Sequence, residues 1–184
     1  METEALKFAT IAHEGQVRKY TDEPYIEHPK RVVALLKTVK HTPEMVAAAY
    51  LHDVVEDTKV SIQDIKARFG SQVADLVAEL TDEYEKVKYP NLNRRARKDL
   101  EVMRQAKMTT AAKTIKLADV IDNTRDIVKN DPGFARKYLR EMYGLTRALQ
   151  GGEFDLLMKA CYEVEKGRIA LNMDNFTSRS DRKT

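Results

Sequence analysis

The sequence predicts an all-α fold, a single bundle of about eight to ten helices. No run of period-two alternation stands out, and apolar residues recur instead with the 3.6-residue period of amphipathic helices. The first such stripe consists of Ala5, Phe8, Ala9 and Ala12. Capping residues followed by proline, as at Thr42-Pro43, mark helix starts. A chain of 184 residues fits one domain with a substantial core.

The N-terminal half contains clear helix signals after the first stripe. Pro29 suits the first turn of a second helix. Residues 45–55 are apolar almost all round, which predicts a central, buried helix running to Val55. Ser61 and Asp64 match a capping box for a short helix that stops at Gly70.

The C-terminal half continues the pattern. It is predicted to contain a helix capped by Ser71, a loop over 84–91, a basic helix over 93–106, a helix over 111–129, a helix starting at Asp131-Pro132 and a last helix after Gly151-Gly152. The last helix has a predicted core face of Phe154, Leu157, Met158 and Cys161. We expect residues 1–173 to form the domain. Residues 174–184 are polar and lack a stripe, which predicts a frayed tail.

Composition indicates a well-charged globular protein, with 42% hydrophobic and 33% charged residues. The acidic N-terminus lacks the apolar segment of a signal peptide, and no charge-free stretch is long enough to cross a bilayer. Cys161 is the only cysteine, which excludes an internal disulfide and favours a reducing compartment. A cytoplasmic location without membrane association is therefore expected.

Residues suited to metal binding are scattered along the chain: His28, the pair His52-Asp53, and Asp119. Imidazole nitrogens and carboxylate oxygens suit a divalent transition ion. His52 and Asp53 end an apolar stretch, where burial without a partner would be costly, so they are expected to be paired or metal-bound. By themselves, however, a His-Asp dipeptide and a histidine before a proline also occur by chance.

Further carboxylates accompany these candidates. Glu56 and Asp57 lie one turn beyond His52-Asp53, where a hydrolase needs a group that accepts a proton from water. Asp119 begins a polar stripe on its helix, which continues through Asp122, Asn123 and Asp126. Such a stripe is ordinarily solvent contact, but this one is dense in groups that can bind metal or phosphate.

Positive charge is concentrated in one region, although the net charge is only +3. Between Lys86 and Lys113 there are nine basic residues and two acidic ones, an excess that can attract a polyanion. For most of these side chains a solvated helix face is the simpler interpretation.

Four segments in this order resemble one known family: residues 13–19 (HEGQVRK), 24–29 (PYIEHP), 51–58 (LHDVVEDT) and 116–126 (KLADVIDNTRD). Residues 69–73 (FGSQV) are a softer match. Together they resemble the hydrolase domain of RelA/SpoT homologues, and in size the chain resembles the family's stand-alone small alarmone hydrolases. The similarity covers roughly the first 130 residues.

The resemblance implies an HD-superfamily fold and removal of the 3′-pyrophosphate from guanosine tetra- or pentaphosphate (ppGpp or pppGpp), giving GDP or GTP and pyrophosphate. It implies one divalent ion, usually Mn²⁺, held by His28, His52, Asp53 and Asp119. The implied groups that activate water are Glu56 and Asp57. The implied substrate-binding residues are Arg18, Lys19, Asn123 and Arg125. A chain of this length is expected to hydrolyse without a synthetase activity.

One departure and two alternatives qualify the resemblance. Many family members carry a basic residue after the KLAD motif, whereas this chain has Val120 and then an additional acid, Asp122. The substrate can therefore be an adenosine alarmone, or another nucleotide such as NADPH, a nucleoside monophosphate or an oligonucleotide handled by a different HD phosphohydrolase. A non-enzymatic nucleotide- or nucleic-acid-binding module is the least favoured alternative. The sequence does not indicate an oligomeric state.

Overall fold

The structure, a computed structural model, describes residues 1–173; the tail predicted over 174–184 lies outside the described residues. Within that range β-structure is limited to two isolated bridges, Val17 to Pro24 and Gln150 to Gly152. The ten described helices are α1 (Glu2–Ala12), α2 (Glu27–Leu36), α3 (Pro43–Leu51), α4 (Val54–Asp57), α5 (Ile62–Phe69), α6 (Ser71–Leu80), α7 (Arg94–Gln105), α8 (Thr110–Asn130), α9 (Pro132–Ala148) and α10 (Phe154–Ala170). The predicted all-α fold is confirmed.

Helix α8 is the central element of the bundle and packs against α2, α6, α9 and α10. Its buried residues include Ile115, Leu117 and Ile121, none of which is exposed to solvent. Helix α3 is the second buried element, as the apolar run predicted, and packs between α1, α2 and α6. None of the helices described here has the length and apolar character required to cross a bilayer.

The prediction of one continuous helix to Val55 is wrong. Helix α3 ends at Leu51, and a separate short helix, α4, begins at Val54. The Nδ1 atom of His52 lies 2.8 Å from the carbonyl oxygen of Ala49, the oxygen that a continuous helix would pair with the N–H of Asp53. This side-chain bond helps to turn the chain at residues 52–53, between two buried segments.

The capping predictions differ in outcome. Ser61 and Asp64 form the predicted capping box, in which each side chain accepts the other residue's backbone N–H. Ser71 is not the cap of the next helix, because α6 begins at Ser71 and Gly70 occupies the cap position. Gly70 has a φ of 86°, a left-handed conformation that glycine adopts without steric cost, and it both ends α5 and starts α6.

The predicted core face of α10 is wrong in part. Phe154 is 68% exposed and Met158 is 53% exposed, whereas Leu156 on a different face is buried. The close approach of α10 to α8 explains the orientation. A Cβ atom at Gly167 would lie only 2.8 Å from Cγ2 of Val128, so the glycine face is the one that meets α8.

Candidate metal centre and adjoining cavity

Three parts of the fold bring the four predicted metal ligands together. His28 lies in the first turn of α2, His52 and Asp53 lie at the break between α3 and α4, and Asp119 lies in the middle of α8. The Nε2 atom of His28 is 3.2 Å from Oδ1 of Asp119 and 3.5 Å from Oδ2 of Asp53. The Nε2 atom of His52 is 3.7 Å and 3.2 Å from the same two oxygens.

The arrangement fits a divalent cation. Ligand atoms bound about 2.1 Å from one ion lie about 3 to 3.5 Å from their neighbours. Three of these separations fall in that range, and the fourth, 3.7 Å, is slightly longer. The Nε2 atoms of His28 and His52 are buried and form no hydrogen bond with any described residue. Since a buried polar atom without a partner is costly, these two nitrogens point to a ligand between them. One ligand atom each from His28, His52 and Asp119 fall within 4.8 Å of one another.

On each of the two histidines, the ring edge that carries Nδ1, opposite Nε2, is held by a hydrogen bond. The Nδ1 atom of His52 lies 2.8 Å from the carbonyl oxygen of Ala49, and because a carbonyl only accepts, the ring proton belongs on Nδ1. The Nδ1 atom of His28 lies 2.7 Å from Oδ2 of Asp122. In their neutral forms, both histidines therefore direct an Nε2 lone pair towards the centre.

The two ligand carboxylates are held as well. Lys116 Nζ lies 2.9 Å from Oδ2 of Asp119, and Nδ2 of Asn123 donates to Oδ1 of Asp119 at 2.6 Å. The hydroxyl of Tyr25 donates to Oδ2 of Asp53 at 2.7 Å. These contacts orient the carboxylates before any ion binds, which lowers the cost of assembling the site.

Charge pairing shifts the pKa values of the four groups. Burial acts against the charged form of each group, but the opposite charges outweigh it. The pKa of His52 is raised to about 9 by Asp53 and Asp119, and the pKa of His28 is raised by Asp119 and Asp122. The pKa of Asp119 is held well below its ordinary value by Lys116 and the histidines. A divalent cation would replace protons at this centre.

Glu56 and Asp57 stand on α4 beside the centre. The Oε1 atom of Glu56 accepts the backbone N–H of Asp82 at 2.6 Å. Burial in the cleft, with the negative charges of Asp82 and Asp53, raises the pKa of Glu56 to about 7, although Lys116 acts in the other direction. Burial and Asp53 also raise the pKa of Asp57. Glu56 therefore has the pKa of an effective base near neutral pH.

A cavity of about 500 Å³ opens next to the centre, and Asp119 lines it. Helices α7, α8 and α9 contribute most of the lining. Its cationic side chains are those of Lys98, Lys116 and Arg140, and its polar side chains include those of Asn123 and Tyr138. The volume lies within the range of small-ligand sites.

The predicted substrate-binding residues do not all meet at this cavity. Asn123 lines it, and Arg18 Nη2 donates to Oδ1 of Asn123 at 3.0 Å and to Oδ2 of Asp126 at 2.7 Å. Arg18 is buried, and its hydrogen bond to Asn123 holds that side chain in place. Lys19 is exposed, with Nζ 3.1 Å from the hydroxyl of Tyr20.

Arg125 points elsewhere. Its Nε atom donates to Oε1 of Glu163 on α10 at 2.8 Å, and it lines a smaller cleft between α8 and α10 rather than the cavity beside Asp119. The matched motif correctly placed Arg125 on α8. Residues two apart on a helix lie on different faces, so its side chain points away from that of Asn123. We therefore do not include Arg125 in the proposed nucleotide site.

Much of the basic region is engaged within the protein. Arg94 makes two hydrogen bonds of 2.8 Å to Glu141, and Lys98 Nζ lies 2.8 Å from Asp82. Arg104 pairs with Glu101 and also donates to backbone carbonyls of α6 and the following loop. The Arg94 pair joins α7 to α9, and the Lys98 and Arg104 contacts join α7 to the end of α6 and the loop that follows it. These charges are correspondingly less available to a nucleic acid.

Four residues that contact the predicted site were not assigned a role from the sequence. Tyr25 and Lys116 lie inside two of the matched motifs, three residues before the predicted ligands His28 and Asp119. Their closeness to a ligand in the sequence could have identified them as its partners. Asp122 was recognised as a member of the polar stripe and as an additional acid, but not as a partner of His28. Asp82 follows α6 with no marking pattern, and only the fold brings its backbone N–H to Glu56.

Comparison with known proteins agrees with this fold. A family model described as an HD domain matches residues 5–145. The guanosine-3′,5′-bis(diphosphate) 3′-pyrophosphohydrolase MESH1 of Drosophila melanogaster is 38% identical over 143 residues, which cover 76% of each chain. The human protein of the same name is 35% identical over 156 residues, covering 80% of this chain and 84% of that one.

A solved structure of a similar protein has the same fold as this chain. The structure of a metazoan SpoT ortholog that hydrolyses ppGpp superposes with a TM-score of 0.79 at 31% identity, covering 94% of this chain and 96% of that one. The bacterial SpoT of Escherichia coli, a bifunctional (p)ppGpp synthase/hydrolase, is 38% identical over 144 residues, which are 75% of this chain and 20% of that protein. The chain belongs to the HD domain family.

Proposed function

We propose that this protein is a metal-dependent pyrophosphohydrolase that removes the 3′-pyrophosphate of ppGpp and pppGpp, releasing GDP or GTP and pyrophosphate. One observation carries the proposal. Two buried Nε2 atoms, on His28 and His52, converge with the carboxylates of Asp53 and Asp119 immediately beside a base with a pKa of about 7. The names of the relatives at 35–38% identity supply the substrate.

The proposed cofactor is one divalent ion, for which mixed imidazole and carboxylate ligands are suited, with Mn²⁺ as the first choice because the resemblance to RelA/SpoT homologues implies it. His28, His52, Asp53 and Asp119 would hold it. When bound, such an ion supplies Lewis-acid polarisation of a water molecule and of a phosphoryl oxygen. A cytosolic location is part of the proposal, since the single cysteine can form no internal disulfide.

Glu56 is the proposed general base. Its Oε1 atom is occupied by the N–H of Asp82, which leaves Oε2 to take a proton from the attacking water. The new bond joins the water oxygen to the phosphorus attached to the ribose 3′ oxygen, and the bond between that phosphorus and the 3′ oxygen breaks. The departing 3′ oxygen takes up a proton from solvent and becomes the 3′ hydroxyl of the product. Asp57, next in sequence, adds negative charge that favours proton uptake by Glu56. Lys116 offsets charge on the phosphates.

The nucleotide is proposed to occupy the cavity beside Asp119. Arg140 lines the cavity and is suited to the remaining phosphates, whereas Lys98, which also lines it, is paired with Asp82 at 2.8 Å. Asn123 is proposed to contact the nucleotide, held in place by Arg18. Lys19, next to Arg18 in the segment between α1 and α2, is exposed and is proposed to meet a phosphate.

A substrate panel tests the proposal. The purified protein is incubated with ppGpp, pppGpp, pppApp, NADPH and a nucleoside monophosphate, with Mn²⁺ or with EDTA, and the products are separated by chromatography. We expect pyrophosphate and GDP from ppGpp, in the presence of Mn²⁺ only. Release of inorganic phosphate from another nucleotide, without turnover of ppGpp, would instead identify a different HD phosphohydrolase.

A further inference from the structure

We propose that Asp122 is a positioning residue that fixes and strengthens His28 as a metal ligand, through a relay that runs from Glu23 through Arg31. This inference rests on the proposed metal site, because it concerns how one ligand of that site is held. Asp122 lies three residues after Asp119 on α8, and neither the sequence motifs nor the proposed chemistry assigned it a role.

Both oxygens of Asp122 are engaged. Oδ2 lies 2.7 Å from Nδ1 of His28, and Oδ1 accepts from Nε of Arg31 at 2.8 Å. The side chain of Asp122 is only 8% exposed, and that of His28 is 1% exposed. The orientation of the Asp122 carboxylate is therefore fixed, because rotating it would break two charge-assisted hydrogen bonds.

The relay continues into the loop before α2. Arg31 Nη1 donates to both carboxylate oxygens of Glu23, at 2.9 Å and 2.8 Å. The backbone carbonyl of Glu23 accepts the N–H of Arg18 at 2.9 Å. A continuous chain of hydrogen bonds thus joins the loop that carries Arg18 to the outer edge of the His28 ring.

The two histidines are therefore not equivalent. The Nδ1 atom of His52 faces the neutral carbonyl of Ala49, whereas the Nδ1 atom of His28 faces the anion of Asp122. An anionic partner pulls the Nδ1 proton away from the ring, which makes Nε2 a stronger electron donor. It also fixes the rotation of the ring. Loss of Asp122 should weaken cation binding without removing any ligand atom.

The experiment measures Mn²⁺ affinity at a fixed pH by titration calorimetry for the wild type, Asp122→Asn and Asp122→Ala. Loss of a partner to a ligating histidine typically weakens metal binding about 10- to 100-fold. We expect a loss of that size in Asp122→Ala. We expect a smaller loss in Asp122→Asn, because the amide oxygen can still accept the Nδ1 proton but carries no charge.

Glu163→Gln is the matched control. Glu163 is a comparably buried carboxylate that pairs with an arginine and contacts the same helix, α8, but it touches no proposed ligand. The Mn²⁺ affinity of Glu163→Gln should stay within about twofold of the wild type, because the loss of affinity is expected only when the changed residue hydrogen-bonds to a metal ligand. Circular dichroism and thermal melting of each variant identify any that does not fold. The nearly isosteric Asp122→Asn keeps the test valid if Asp122→Ala fails to fold.

A second readout distinguishes positioning from general stability. In the Zn²⁺-loaded protein, the His28 Nδ1 proton should give a protected, downfield NMR resonance that shifts upfield in Asp122→Asn and is unchanged in Glu163→Gln. Unchanged Mn²⁺ affinity in folded Asp122 variants, with that resonance unmoved, would overturn the relay while leaving the metal site intact. Failure of the wild type to bind Mn²⁺ at all would overturn the metal site and the relay together.

Discussion

The hydroxyl of Tyr25 lies 2.7 Å from Oδ2 of Asp53, the same oxygen that faces both histidines. The ring of Tyr25 is itself fixed, because it lies against the imidazole of His13 with ring centroids 4.6 Å apart. Asp53 stands where α3 breaks, and among the described hydrogen bonds only the Tyr25 hydroxyl donates to its carboxylate. The tyrosine thus determines which oxygen of Asp53 points inward.

Tyr25→Phe should therefore weaken metal binding while leaving all four ligands in place. We expect about a 10-fold loss of Mn²⁺ affinity, at the lower end of the effect of outer hydrogen-bond partners. Calorimetric titration measures it. Tyr89→Phe removes a hydroxyl that bonds to Glu83 outside the centre and should have no effect. Equal affinities in the two variants would mean that Asp53 needs no orienting partner.

Glu56→Gln should separate catalysis from metal binding. Glutamine keeps the size of the side chain but cannot accept a proton from water, and a general base contributes about 10²- to 10⁴-fold in rate. We expect turnover of ppGpp to fall by that factor while one metal ion per chain is retained, as measured by elemental analysis. Glu14→Gln, at an exposed position, serves as the control. Loss of the ion in Glu56→Gln would show that Glu56 is a ligand rather than a base.

Metal affinity should increase with pH. The pKa of His52 is raised from 6.5 to about 9 in the absence of a cation, so below that pH a proton must leave before Nε2 can bind the ion. We expect the Kd for Mn²⁺ to decrease steadily as the pH rises from about 6.5 to 9. Calorimetry in buffers of different ionisation enthalpy measures the protons released. A pH-independent Kd with no proton release would contradict the charge arrangement described here.

Gly152 should not tolerate a side chain. A Cβ atom there would lie 2.8 Å from Cδ1 of Leu117, which is fully buried, and 3.3 Å from the backbone of Lys113. Gly152→Ala should therefore lower the free energy of unfolding by about 1–3 kcal/mol. Chemical denaturation measures the change.

Gly144, inside α9, is the matched control for this substitution. A Cβ atom added at Gly144 would meet no other atom within 4 Å. Gly144→Ala should therefore raise the free energy of unfolding by about 0.5–1 kcal/mol, because alanine loses less conformational freedom than glycine when a helix forms. Equal effects of the two substitutions would contradict the packing of α8 against the turn at Gly152.

Much of the helical architecture could be predicted because periodicity and capping are local properties. The capping box at Ser61 and the buried character of α3 follow from a few neighbouring residues. The break after Leu51 could not be predicted, since the surrounding run is apolar and the turn depends on the His52 side chain reaching a backbone carbonyl. The orientation of α10 depends on its close approach to α8 at Gly167, which is a property of the packed fold.

The candidate site could also be predicted only where it depends on local sequence. The candidate ligands were recognisable as residue types, and the resemblance placed them in one set. Their partners were not recognisable, because a partner is defined by a contact between distant segments. Asp122 stood out in the sequence as a member of the polar stripe on its helix and as a departure from the family pattern, but it is the position of α2 against α8 that brings its carboxylate to His28.

The most direct test of the metal centre is the metal content of purified His52→Ala and Asp53→Ala, measured by elemental analysis after dialysis against Mn²⁺, with ppGpp hydrolysis assayed in parallel. His41→Ala is the control, because His41 is exposed and bonds only to a nearby carbonyl among the described contacts. We predict that the wild type and the control hold one ion per chain and turn over ppGpp, and that both site variants lose the ion and the activity. Full turnover in either site variant would contradict the assignment of the ligands.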